Sequence, residues 1–193
     1  MRLFNSSAGY GALTKALHWG VAALFAFQFL SASIMTRLDT TGTALGVSQA
    51  GYYNWHKTIG LIALLLAIAR VTVRRIGSLP PWAPTLGDGE KRFIHRAEQV
   101  LYAAMFVMPV SGFVYVMAGG YGVLLFGTLA LPNPIGPMPV LATAAKWVHV
   151  LAAWALTLAL AGHIGLVLRH QIWLRDGLLW RMLPAAKRRS PPT

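Results

Sequence analysis

Histidine is the residue most able to bind a metal or carry a proton near neutral pH, and six occur in this chain of 193 residues. Two of them interrupt the otherwise apolar stretch KWVHVLAAWALTLALAGHIG, at His149 and His163. Fourteen residues separate them; at about 100° and 1.5 Å per residue a helix returns to within roughly 40° of the same face after about 21 Å. One helical stripe thus carries imidazoles at two depths. Two other apolar segments offer partners: KALHWG places His18 in the opening turns of one, and YYNWHKTIG places His56 in the opening turns of the next. Because successive spans run in opposite directions, His18 matches the depth of His163, and His56 that of His149.

Two imidazoles facing each other from different helices suit a metal that takes one nitrogen on each side of a planar ligand, as haem iron does. Two stacked b-type haems, His18/His163 at one depth and His56/His149 at the other, account for four histidines together. Bis-histidine ligation fills both axial positions, so the expected chemistry is electron transfer. A single buried histidine could instead hydrogen-bond a neighbouring helix or serve a proton path, and four together could line a proton channel. Zinc needs more ligands per depth than the pattern supplies, and the chain has no cysteine. Arg70, fourteen residues after His56, lies on nearly the same face and could hold a haem propionate or simply snorkel to the interface. Gly60 and Gly112 could let a flat cofactor approach the backbone, or equally serve close helix packing. His95, Glu98 and His170 remain near one membrane surface; they are candidates for hydrogen-bonding and protonating a quinone, or ordinary interfacial side chains. Trp19, Trp55, Trp147 and Trp173 suit interfacial belts.

The elements that must position these residues follow from composition. Hydrophobic residues make up 56% and charged residues 11%, against about 25% charged in soluble domains. A membrane span needs about 20 mainly apolar residues, and four segments qualify, near 13–35, 53–73, 94–117 and 147–168. Without period-two alternation these are helices. The expectation is one all-α domain, an integral membrane four-helix bundle holding the two haems. The first span is too long for a secretory leader and is read as retained. Pro109 is expected to kink the third span, and YGVLLFGTLAL is too short to cross: it either re-enters the membrane or, the favoured reading, lies on the surface or packs as a loop. Formal charge is +12, but the basic residues flank apolar spans instead of forming a basic face with interleaved aromatics, which argues against nucleic acid. One side holds Arg2, Lys15, Arg70, Arg74, Arg75, Lys91, Arg92, Arg96, Arg169, Arg175, Arg181, Lys187, Arg188 and Arg189; the other holds only Arg37, Lys57 and Lys146. The positive-inside rule then puts both termini in the cytoplasm.

Taken together, LTKALHWGVA, YYNWHKTIGLIALLLAIARVTVR, PPWAP, RAEQVLYAAMFVMPVSGF, KWVHVLAAWALTLALAGHIG and DGLLWRMLP resemble the bacterial cytochrome b561 family, within the wider group that includes the cytochrome b subunits of nickel hydrogenases. The resemblance covers nearly the whole chain. It implies four helices, two b-type haems and the ligands His18, His56, His149 and His163, the set reached independently from depth. Members include superoxide oxidase, so it also implies a bacterial inner-membrane enzyme that oxidises superoxide at the periplasmic face and reduces ubiquinone. The sparse outer cations Arg37, Lys57 and Lys146 are then expected to attract superoxide, with Lys57 and Lys146 the residues to test. The alternative is an electron-carrier subunit anchoring a periplasmic dehydrogenase or hydrogenase as its redox partner.

Overall fold

A computed structural model describes residues 2–183; Lys187, Arg188 and Arg189, which contribute to the charge asymmetry, lie outside them. Four long helices dominate: α1 (Ala12–Met35), α2 (Gln49–Ile76), α3 (Asp88–Ala118) and α4 (Pro139–Arg169). Each extends beyond the apolar stretch that marks it, because the helical backbone continues past the hydrocarbon layer. With 31 residues, α4 is about 46 Å long, well over the roughly 30 Å of that layer.

Local chemistry sets the ends. Ahead of α1, the buried Asn5 accepts the Gly11 N–H through Oδ1 at 2.9 Å. Gly11 is needed here, since a Cβ would lie 2.4 Å from the Leu3 carbonyl oxygen. The α2 N-terminus is capped by Ser48, whose hydroxyl accepts the Gly51 N–H at 3.2 Å. At the α3 N-terminus, Glu90 reaches back to the Gly87 N–H at 3.0 Å. Pro139 opens α4 in the first turn, where its missing N–H costs nothing. Helix α3 runs on through Pro109.

Two short hairpins join the helices at one end. β1 (Thr43–Ala44) pairs with β2 (Val47–Ser48) through a two-residue turn in which Leu45 and Gly46 both have positive φ, 51° and 77°, the conformation that matches strand twist. β3 (Leu124–Leu125) pairs with β4 (Leu129–Ala130) around Phe126 and Gly127, and β3 packs on α2. The YGVLLFGTLAL stretch is therefore a packed hairpin, not a re-entrant segment.

Consecutive helices pack along one another, but no extensive backbone packing joins α1 to α4 or α2 to α4 among the described residues. Three helices, α1, α3 and α4 continuing to Leu174, are long and apolar enough to cross a membrane. Only 6% of the most apolar window of α4 is buried inside the protein. An apolar surface left that open requires a nonaqueous solvent, which lipid provides. Helix α2 is equally long, but Arg70, Arg74 and Arg75 crowd its apolar half.

The chain lacks cysteine, so single cysteines report sidedness directly. In sealed membrane vesicles a membrane-impermeant maleimide should label only one of Leu45→Cys and Ser78→Cys, the other reacting after disruption, because the two lie at opposite ends of the helices. Equal labelling of both in sealed vesicles would contradict the arrangement of ends.

Candidate functional site

The helices bring the four histidines together in two pairs. The His18 and His163 rings, from α1 and α4, have centroids 6.2 Å apart; the His56 and His149 rings, from α2 and α4, have centroids 6.4 Å apart. Each pair joins helices whose backbones stay apart, so the imidazoles reach across a gap. An imidazole bound through one nitrogen at about 2.0 Å puts its centroid about 3.1 Å from a metal, and two such ligands on opposite sides put theirs roughly 6.2 Å apart. Both separations fit that arrangement. No cluster of three or more His, Cys, Asp or Glu able to hold an ion occurs among the described residues, which disfavours zinc.

What the other ring nitrogen touches decides whether an imidazole can ligate. His149 Nδ1 lies 2.9 Å from the Met108 carbonyl oxygen. A carbonyl only accepts, so Nδ1 must carry the proton and Nε2 keeps its lone pair. His56 Nδ1 lies 3.0 Å from Ser31 Oγ, while that hydroxyl lies 3.1 Å from the Gln28 carbonyl oxygen. The hydroxyl proton goes to the carbonyl, so the imidazole donates to Ser31 and again leaves Nε2 free. Ser31 is 1% exposed, and a serine buried in an apolar helix is the signal by which the sequence could have revealed this anchor. Ser111 Oγ, 3.3 Å from His149 Nδ1, adds a second contact. Gly112 serves the same ring: a Cβ there would sit 3.1 and 3.2 Å from two of its atoms.

The inner pair is held differently. Arg70 Nη2 donates to His18 Nδ1 at 3.3 Å, while Arg70 Nη1 is buried with no acceptor. A buried guanidinium nitrogen with nothing to bond implies an anion missing from its side. The Arg70 guanidinium also lies 5.6 Å from the Tyr102 ring centroid, with that of Arg74 at 5.2 Å.

Other expected site residues fall elsewhere. A Cβ at Gly60 would meet Gln28 Nε2 at 3.1 Å, so this glycine serves the α1–α2 contact. The Lys57 ammonium donates to the Gly122 carbonyl at 2.9 Å, tying α2 to the segment that leads into β3. Beside it, the Thr58 hydroxyl accepts the Phe126 N–H at 3.0 Å. Lys146 is exposed. The three quinone candidates do not converge. Exposed His95 bonds Gln99 at 3.3 Å, and Glu98 forms a two-pronged pair with Arg74 at 2.5 and 3.0 Å. His170 is fully buried between Asp176 and Glu90. Gln99 lies four residues after His95 on the same helix, whereas the partners of Glu98 and His170 come from α2, the α3 N-terminus and the segment after α4, which helical spacing does not reveal. Helical spacing likewise gives no sign of Asp176 or Glu90. Burial raises the Asp176 carboxyl, but hydrogen bonds from His170, Thr85 and the Leu178 N–H outweigh it and hold the group below the usual carboxylate range.

Gly112→Ala should destabilise the protein, by roughly 1–3 kcal/mol for overpacking, because the His149 ring must shift. Gly165, whose added Cβ would meet nothing within 4 Å, is the control: Gly165→Ala should be neutral or stabilising by about 0.5–1 kcal/mol. Thermal unfolding in detergent compares them, and equal effects would contradict the packing described.

The family model for prokaryotic cytochrome b561 matches residues 9–185. Cytochrome b561 homolog 2 of Escherichia coli (strain K12) is 25% identical over 190 residues, covering 95% of each chain. Cytochrome b562 of Cereibacter sphaeroides is 30% identical over 176 residues, covering 91% of this chain and 95% of that protein. Facing histidines, an arginine awaiting an anion and lipid-facing helices thus meet a match over nearly the whole length: the chain belongs to the prokaryotic cytochrome b561 family, membrane electron-transfer proteins carrying b-type haem.

Proposed function

We propose that the protein binds two b-type haems, one between His56 and His149 and one between His18 and His163, and moves electrons from periplasmic superoxide to ubiquinone in the bacterial inner membrane. The observation that carries this reading is the pair of ring separations, 6.2 and 6.4 Å, between helices that otherwise stay apart. The superoxide and ubiquinone assignments rest on resemblance to the family and on the charge pattern. Helix α2 crosses with the other three, since it packs against both α1 and α3. The Lys and Arg distribution puts both termini in the cytoplasm.

Held by His56 and His149, and by His18 and His163, b-type haem would supply reversible one-electron transfer. The protein's own groups do the rest. Met108, Ser31 and Ser111 hold the outer imidazoles in the ligating tautomer. Arg70 is the residue to hold a propionate: its orphaned Nη1 gains an acceptor, and a guanidinium turned to a carboxylate releases His18 Nδ1. Overall, two superoxide anions each lose one electron to become dioxygen, and one ubiquinone takes two electrons and two protons. Anion steering falls to the cations of this end, the exposed Arg37 and Lys146 together with the half-buried Lys57, which also donates to the Gly122 carbonyl.

Purified protein mixed rapidly with superoxide should show haem reduction, then reoxidation on adding ubiquinone. Inertness to superoxide, with a soluble redox protein co-purifying, would overturn the enzyme reading in favour of an electron-carrier subunit. Lys146→Gln should slow reduction by superoxide about twofold and flatten its salt dependence, whereas unchanged kinetics would remove the steering role. His149→Ala should abolish one haem signal and spare the other; loss of both, or of neither, would contradict the pairing.

A further inference from the structure

The inner end contains a cavity of about 520 Å³ bounded by the N-terminal segment, the Pro-rich α2–α3 loop and the chain after α4. Its volume lies within the range of small-molecule sites, roughly 300–1,000 Å³. Tyr10 and Trp82 bring aromatic surface to it, Lys15 and Arg181 bring hydrogen-bond donors, and Thr85 and Asp176 close the far wall. The Tyr10 phenol is raised above its ordinary range by burial, so it stays a neutral donor. A planar molecule with carbonyl oxygens on its rim fits this lining: donors for the oxygens, rings and prolines for the faces.

The cavity also adjoins the inner histidines. Lys15 precedes His18 by three residues on α1, an axial rise of about 4.5 Å. Trp19, whose ring centroid lies 5.4 Å from that of His18, donates through Nε1 to the Met182 carbonyl at 2.9 Å, and Lys15 donates to the Leu183 carbonyl at 2.8 Å. The segment lining the cavity is therefore fastened to the helix turn that carries His18.

Asp176 connects the cavity to a buried chain of ionisable groups. Its Oδ2 lies 2.5 Å from His170 Nδ1, and His170 Nε2 lies 3.2 Å from Glu90 Oε1. Exposure of the side chains falls from 23% at Glu90 to 7% at Asp176 and 0% at His170. One end thus meets solvent, the middle is sealed, and the other end opens on the cavity. Arg169 pairs with Glu90, and Lys15 and Arg181 are the cations on the cavity side. A carboxyl oxygen faces each ring nitrogen, so a proton given by one carboxyl to the near nitrogen can be matched by release of the proton on the other nitrogen to the second carboxylate, the geometry of a shuttle.

We infer that this cavity is the quinone head-group site and that Glu90, His170 and Asp176 relay the protons its reduction consumes. The inference rests on the ubiquinone-reducing reading and deepens it. Each quinone takes two electrons from the inner haem side and two protons along the relay; both carbonyl oxygens become hydroxyls, and no other bond breaks. Glu90 is recharged from solvent after each transfer. His95 and Glu98 have no part, being bonded to Gln99 and Arg74.

The test uses the haem-loaded full chain, reduced and then mixed with either a short-chain ubiquinone or ferricyanide, which accepts an electron without a proton. Asp176→Asn should slow reoxidation by the quinone at least tenfold, and Glu90→Gln should slow it too, with haem spectra and ferricyanide rates unchanged. In the unsubstituted protein the quinone rate should fall as pH rises while the ferricyanide rate stays flat. Quinone rates unchanged in both variants would overturn the relay. If the unsubstituted protein reduces no quinone under any condition, the parent reading fails and takes the relay with it. A photoreactive azidoquinone supplies a readout independent of turnover: label should fall on peptides containing Tyr10, Trp82 or Arg181 and be displaced by excess ubiquinone. Label confined to the lipid-facing side of α4 would overturn the site.

Discussion

The structure depends on imidazoles held across a gap between helices that do not otherwise pack. A polar ring in a membrane interior costs free energy unless it is hydrogen-bonded or bound, and two such rings facing each other give no compensation of their own. The cost is tolerated when the second ring nitrogen is anchored and the first has a metal to meet. Helix α4, which supplies one ring to each pair, makes its broad backbone contact with α3. That contact sets the spacing across which His149 and His163 face α2 and α1.

The two ends solve the anchoring problem differently. At the outer end neutral groups fix the tautomer, with a main-chain carbonyl for His149 and a serine hydroxyl for His56. The flanks of His56 also grip the β3–β4 hairpin through Lys57 and Thr58, so the ring is stabilised from both sides. At the inner end charge prevails: Arg70 beside His18, the Arg74–Glu98 pair against Tyr102, and the acid–histidine–acid chain beyond α4.

Much of this is legible in the amino-acid sequence, for a definite reason. Fourteen-residue spacings on apolar helices survive folding because the helix converts them directly into depth and face, so the four histidines and Arg70 stand out from spacing alone. What spacing hides depends on partners from other elements. The Lys57 side chain reaches the Gly122 carbonyl and Gly60 lies against Gln28, contacts that no spacing along α2 announces. His95, Glu98 and His170 share a membrane depth yet diverge, because depth says nothing about which neighbour each side chain finds. The β1–β2 hairpin is equally hidden, since Leu at a positive-φ turn position carries no compositional signal.

The central claim is that each pair of facing imidazoles clamps its own iron porphyrin. Quantifying extracted haem against protein, on material from cells with ample haem supply, tests it most directly. The account predicts two non-covalently bound b-type haems per chain, with a split or broadened α-band in the reduced spectrum. A stoichiometry of one, or a colourless protein, would contradict it.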